Sequence, residues 1–128
     1  MGIGLGVAVG LFLAWALARG GVKGLHTNVA RRTVEQAAPM EAVADALRRV
    51  PERLGRWRLV VSTDRRFAFE ITTPILRFVD DLTVELAEAG SGTRLEIVSK
   101  SRVGKGDLGT NAKHVELLVE TLAGELAE

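Results

Sequence analysis

Residues 57–98 read WRLVVSTDRRFAFEITTPILRFVDDLTVELAEAGSGTRLEIV, and the period of this stretch decides the fold. Trp57, Leu59 and Val61 alternate with Arg58, Val60 and Ser62; Phe67, Phe69 and Ile71 alternate with Ala68, Glu70 and Thr72. Leu82, Val84 and Leu86 alternate with Asp81, Thr83 and Glu85, and Leu95 and Ile97 with Arg94 and Glu96, in a run that continues toward Val103. A period of two places successive side chains on opposite faces, so each run is a strand with one covered and one wetted face. Asp64-Arg65-Arg66 separates the first two runs, Pro74 interrupts after the second, and Gly90-Ser91-Gly92 is a strong hairpin signal between the last two. Four short strands joined by tight turns describe an antiparallel sheet with one face packed on a core.

Outward from the strands the period changes to that of a helix. Upstream, Met40, Val43, Ala44, Leu47 and Val50 form an apolar stripe, with Pro39 suited to the first turn and Pro51 and Gly55 closing it. Downstream, Leu108, Ala112, Val115, Leu118, Val119, Leu122 and Leu126 form a second stripe, flanked by Lys113, Glu116, Glu120 and Glu125. Residues 26–36 show no clear period. The order helix, four strands, helix predicts an α+β domain over residues 25–128, a two-layer sandwich of two helices on one face of a four-stranded antiparallel sheet.

The chain carries 17 Lys and Arg against 16 Asp and Glu, a net charge of +1. The balance speaks against nucleic acid as a partner. With no Cys and 2 His, a disulfide scaffold, a thiolate or His-rich metal site and a Cys nucleophile are excluded, and neither a metal nor a cofactor is expected. The balance is an average of unlike parts. Residues 1–18 carry no charge, residues 19–66 carry 11 basic and 5 acidic side chains, and residues 67–128 carry 6 basic and 11 acidic ones.

The uncharged stretch, MGIGLGVAVGLFLAWALA, spans about 27 Å as a helix, near the bilayer core of about 30 Å. Gly20, Gly21 and Val22 extend it if Arg19 snorkels. Ala16-Leu17-Ala18 has the form of a signal-peptide cleavage site, but no basic residue precedes the apolar run. Residues 1–24 are therefore expected to be a transmembrane anchor and linker, making a single-pass membrane protein. Gly2, Gly6, Gly10, Ala14 and Ala18 recur every fourth position, a small-residue ridge of the kind that lets membrane helices approach closely. Arg19, Lys23, Arg31 and Arg32 follow the span and none precedes it, which places the C-terminal domain in the cytoplasm.

Two segments carry a resemblance. Phe78-Val79-Asp80-Asp81 opens the third strand, and residues 99–111 read SKSRVGKGDLGTN. Together they resemble the domain of unknown function 1499 family of bacterial and plastid proteins, whose pattern is FVDD followed by S-x-S-R-x-G-x-x-D-x-G-x-N running into a helix. The resemblance covers roughly Pro39 to Leu122. Upstream, where many members carry a Pro/Ser/Cys segment, this chain reads Leu25-His26-Thr27-Asn28-Val29. Many members are exported or lipid-anchored, so the resemblance implies the exported side as the alternative location. It implies no activity.

These motifs mark the candidate site. Asp80 shares phase with Leu82 and Val84 and so points at the covered face, where a carboxylate needs a cation or several donors. Arg102, Ser99, Ser101 and Asn111 are the nearest by topology, and Asp107 sits where the N-cap of the last helix belongs. Asp80, Arg102, Asp107 and Asn111 then form either a structural polar network or a site for a small polar ligand. Asp80 and Asp81 face opposite sides of their strand and do not act as a pair. Gly104-Lys105-Gly106 invites an anion but lacks the phosphate-loop spacing. His114 reads as a solvated or capping histidine. Arg48, Arg49, Arg53, Arg56, Arg58, Arg65 and Arg66 form a basic cluster, either a solvated surface partly paired with Asp45, Glu52 and Asp64 or a contact for anionic headgroups or an acidic partner.

No nucleophile–base or metal constellation is present, so no catalytic residue is assigned. The expected function is a non-catalytic accessory or assembly subunit, for example of a respiratory or photosynthetic complex. Its small-residue helix packs against partner membrane helices and contacts membrane lipid. The alternative is a membrane-tethered binding module for a lipid or small polar ligand.

Overall fold

A computed structural model describes residues 29–102 and 109–127. In chain order these form β1 (Val29–Gln36), α1 (Met40–Arg53), β2 (Trp57–Ser62), β3 (Arg66–Thr72), β4 (Val79–Ala89), β5 (Gly92–Ser101) and α2 (Thr110–Leu126). The α+β class and the two helices agree with the sequence pattern, but the sheet has five strands rather than four. Its order is β1-β5-β4-β3-β2, with every neighbouring pair antiparallel.

The additional strand is β1. Val29 lies opposite Lys100 and Gln36 opposite Thr93, so β1 forms an edge beside β5. Its sequence, VARRTVEQ, has charged residues on both faces, as edge strands often do, and no strand among the described residues flanks it on the outside. The connection into α1 is held by the Thr93 hydroxyl, which donates to the Ala38 carbonyl at 2.7 Å. Gly92, beside it, has to be small, because a methyl group there would overlap the Gln36 carbonyl oxygen.

β4 and β5 are joined by the two-residue turn Gly90-Ser91, with Gly90 at φ +63, a conformation glycine adopts freely. At the β2–β3 turn the Thr63 hydroxyl accepts from the backbone N–H groups of Arg65 and Arg66. The register of β2 shifts between Leu59 and Val61, so the alternation breaks there and Val61 is exposed instead of buried.

Both helices cover the same face. The sheet contributes Trp57, Phe67, Phe69, Ile71, Leu82, Val84, Leu86, Leu95 and Ile97 to the core. Helix α1 adds Val43, Ala44, Ala46, Leu47 and Val50, and α2 adds Val115, Leu118 and Leu122. Each fully buried large side chain contributes about 1.5–3 kcal/mol. Helix α2 lies over β1 and β5, while α1 packs against α2 and along β2.

The ends of the helices depart from expectation. Pro39 is the N-cap of α1 rather than its first residue, with its carbonyl accepting from Ala42 and Val43. Pro51 does not end α1, which continues to Arg53. A proline there forgoes one hydrogen bond, and the Leu54 N–H still reaches the Val50 carbonyl at 2.9 Å. The N-cap of α2 is Gly109, at φ +85, and not Asp107. Ala112, expected in the apolar stripe, is exposed, whereas Glu125, expected outside it, is buried. Among the described residues no helix is long and apolar enough to cross a membrane. The expected span and its ridge of Gly2, Gly6, Gly10, Ala14 and Ala18 lie outside the described residues, as do Gly104-Lys105-Gly106 and Asp107.

Candidate functional site

The inner face of the sheet changes character along β4 and β5. Toward the Gly90-Ser91 turn it is apolar, with Val84, Leu86, Leu95 and Ile97. Toward the other end it turns polar. Ser99 lies opposite Leu82, and Asp80 lies opposite Ser101. Asp80 is 2% exposed and Ser99 fully buried. The phase of β4 therefore does what its sequence predicts, sending Asp80 inward and Asp81 outward.

The first turns of α2 descend onto this polar patch. Asn111 is fully buried and links both serines: the Ser99 hydroxyl donates to its Oδ1 at 2.6 Å, and its Nδ2 donates to the Ser101 hydroxyl at 2.8 Å. One turn on, His114 Nε2 shares a 2.8 Å hydrogen bond with Asp80 Oδ2. The imidazole packs edge-on against Trp57, ring centroids 6.1 Å apart, and Trp57 meets Phe69 in the same manner at 5.4 Å. The other ring nitrogen of His114 has no hydrogen-bond partner among the described residues.

The partner of Asp80 is thus His114, which is neither the solvated nor the capping residue its sequence position suggests. The signal was present in the helical spacing. Asn111, His114, Val115 and Leu118 fall at i, i+3, i+4 and i+7 and share a face. Asn111 and Ser99 join the site as expected, but Asn111 bonds the serines and not Asp80.

Arg102 does not join it. Its side chain lies on the outer face, forming a two-bond clamp on Asp81, with Nε and Nη2 each 2.8 Å from a carboxylate oxygen. Its Nη2 also reaches Glu70 at 2.8 Å, and Glu70 in turn accepts from Arg58 at 2.7 Å. The hydrogen bonds to Asp81 and Glu70 push the Arg102 guanidinium above its ordinary pKa. Those from Arg58 and Arg102 hold the Glu70 carboxyl below its ordinary value. Exposed pairs of this kind contribute little to stability individually.

The seven arginines of the predicted cluster do not form one patch. Arg65 and Arg66 lie at the β2–β3 turn, where Arg66 pairs with Glu85. Arg48 reaches Asp45 at 2.9 Å and Ser62 at 3.1 Å, its guanidinium 5.5 Å from the Phe67 ring centroid. Arg49 and Arg53 grip the buried Glu125, at 2.9 and 2.7 Å, and so tie α1 to α2. Arg56 and Arg58 lie at the opposite end from Arg65 and Arg66. Of the expected acidic partners, Asp45 is used, but Glu125, Glu70 and Glu85 take the places assigned to Glu52 and Asp64. Among the described residues no group of His, Asp and Glu is arranged to hold a metal ion.

Comparison with known proteins agrees with the motif reading. A family model described as Protein of unknown function (DUF1499) matches residues 22–122, a longer stretch than the motifs alone indicated. No curated protein matches. Several solved structures share the fold. CalU16 from Micromonospora echinospora is 15% identical with a TM-score of 0.51, covering 76% of this chain and 74% of its own. Protein MLL2253 from Mesorhizobium loti is 14% identical with a TM-score of 0.54, covering 76% and 96%. DynU16, from the dynemicin biosynthetic locus, is 18% identical with a TM-score of 0.60; 78% of this chain spans 47% of that one. At these identities the likeness is one of fold. The chain belongs to the DUF1499 family.

Proposed function

We propose that this DUF1499 protein is a non-catalytic, single-pass membrane protein that serves as an accessory or assembly subunit of a larger membrane complex. In this reading residues 1–18 span the bilayer, and the ridge of Gly2, Gly6, Gly10, Ala14 and Ala18 packs against partner helices. The α+β domain stands on the cytoplasmic side, as the charges after the span favour. The supporting observation is that the polar site links the helix to the sheet. Asn111 bonds both Ser99 and Ser101, and Asp80 is taken up by His114. These bonds join the first turns of α2 to β4 and β5 and brace the helix against the sheet, as a docking scaffold requires.

The test is native electrophoresis of the membrane fraction in mild detergent. Replacing Gly6 and Gly10 together by Leu blocks close helix approach, and the protein is expected to leave its high-mass band. Unchanged migration overturns the reading.

A second reading, a tethered binding module for a small polar ligand, draws on the ring nitrogen of His114 that has no partner among the described residues, beside Trp57. Native mass spectrometry of the detergent-purified chain is expected to show a bound mass that Asp80→Ala removes. A bound mass insensitive to that change removes the support for this reading.

A further inference from the structure

Three features of the fold converge at one end of the sheet. The first is the β3–β4 connection, residues 73–78, which displays its apolar side chains. Ile75 is 92% exposed, Leu76 68% and Phe78 43%. The loop is closed by its own hydrogen bonds. The Thr73 N–H donates to the Phe78 carbonyl at 2.8 Å, and the Phe78 N–H donates to the Thr73 hydroxyl at 2.9 Å. Ile75 and Arg77 take φ of +63 and +57, a region disfavoured for any side chain and most for a β-branched one. The backbone thus accepts strain while turning two large aliphatic groups to the outside. The turns at the other end, Thr63–Arg65 and Gly90-Ser91, carry none.

The second feature is charge. Arg56 precedes β2 at this end, its carbonyl bonded to the Thr72 N–H; Arg77 is within the loop; Lys100 lies near the end of β5. None of the three has an ion pair among the described residues. The nearby acids are occupied, Glu70 by Arg58 and Arg102, and Asp81 by Arg102. The apolar tip therefore has a basic rim.

The third is chain connectivity. β1 begins at Val29, opposite Lys100, so the first described residue of the domain lies at this same end. Ten residues separate Ala18 from Val29, a span of at most about 36 Å even when fully extended.

We infer that this end of the domain rests on the bilayer, with Ile75, Leu76 and Phe78 entering the headgroup–acyl boundary and Arg56, Arg77 and Lys100 meeting anionic headgroups. Apolar side chains ringed by cations are what an interfacial lipid contact needs. The inference rests on the reading of residues 1–18 as a membrane anchor, which keeps the tip within reach of lipid. The helix-packing partner of the anchor is not required for it.

The chain has no cysteine, so single labels can be placed without further change. Full-length protein is reconstituted in phosphatidylcholine vesicles containing phosphatidylglycerol, with a nitroxide at Leu76→Cys, at Ser91→Cys on the far hairpin, or at Leu11→Cys within the anchor. Collision with lipid-soluble oxygen is compared with collision with a water-soluble nickel complex. Leu76 and Ser91 are both exposed, so neither label disturbs the core. The oxygen-to-nickel ratio at 76 is expected to be several-fold above that at 91 and to approach that at 11. A ratio at 76 equal to that at 91, with 11 in lipid, overturns the inference and leaves the anchor standing. A label at 76 shielded from both reagents identifies a protein contact and likewise overturns it. Water exposure at 11 overturns the anchor reading, and a lipid-like value at 76 in the same vesicles then supports the tip as a contact in its own right.

Discussion

His114 Nε2 lies 2.8 Å from Asp80 Oδ2, joining α2 to β4 across 34 residues of sequence, and the side chains are only 13% and 3% exposed. The pair is the polar clasp between the helical layer and the sheet, and Trp57 closes its flank. Removing one member strands the other in a site that water scarcely reaches. Asp80→Ala is expected to destabilise the domain by about 1–3 kcal/mol, with Asp80→Asn costing less because the amide still bonds the ring. Urea denaturation followed by circular dichroism measures both. Equal, negligible losses would show that the clasp contributes nothing to stability.

The Glu125 contact makes a prediction about acid. Glu125 is buried at the end of α2 and receives Arg49 and Arg53. The hydrogen bond from Arg49 is the largest cause that holds its carboxyl below the ordinary value; burial opposes it, and the charges of both arginines add to it. Because the folded value is depressed, this contribution is present above the unfolded pKa of about 4.3 and is lost as pH falls through the folded value. Thermal unfolding between about pH 5 and pH 3 is therefore expected to show a steeper loss in the wild type than in Glu125→Gln, which is less stable at neutral pH. Parallel pH profiles for the two proteins would refute the assignment.

Gly92 carries a steric prediction. Its position would place an added methyl group on the Gln36 carbonyl oxygen, where β1 leaves the sheet. Gly92→Ala is expected to cost about 1–3 kcal/mol and to loosen the β1 edge, seen as faster amide exchange at Val34 and Gln36. Ser91→Ala, one residue away and exposed, is the control and is expected to leave both unchanged.

Much of this architecture was legible because local period controls local phase. The runs around Phe67–Ile71, Leu82–Leu86 and Leu95–Ile97 bury the residues their alternation marks, and the same phase sends Asp80 inward and Asp81 outward. Residues 29–36 were not legible as a strand. Ala30 and Val34 pack against the core from its inner face, but Arg32 lies between them and breaks the apolar period, so the strand's identity lies in pairing with β5. The bulge after Leu59 hid in the same way, since Val60 and Val61 have the composition of buried residues and only the partner strand shows that they slip out of phase.

The residues of the site divide along the same line. Ser99 and Asn111 meet because a short connection returns the chain from β5 to α2, which proximity in sequence makes foreseeable. Arg102 is sequence-near but bonds Asp81, because its side chain lies with the outward-facing residues. The basic cluster divides in space, with Arg49 and Arg53 meeting on Glu125 and Arg48 reaching Ser62 at the β2–β3 turn. An antiparallel turn carries Arg65 and Arg66 to one end of the sheet and leaves Arg56 and Arg58 at the other.

By itself, the sequence determined the α+β class, the two amphipathic helices, the family, and which face of each central strand is buried, all of which follow from periodicity and local motif. The tertiary structure alone decided the fifth strand, the choice of His114 for Asp80 and Glu125 for Arg49 and Arg53, and the placement of Val29 at the same end of the sheet as the apolar tip at Ile75 and Leu76. Those depend on register and on contacts between residues 34 to 76 positions apart, and one added residue in a register reverses the face to which every side chain points.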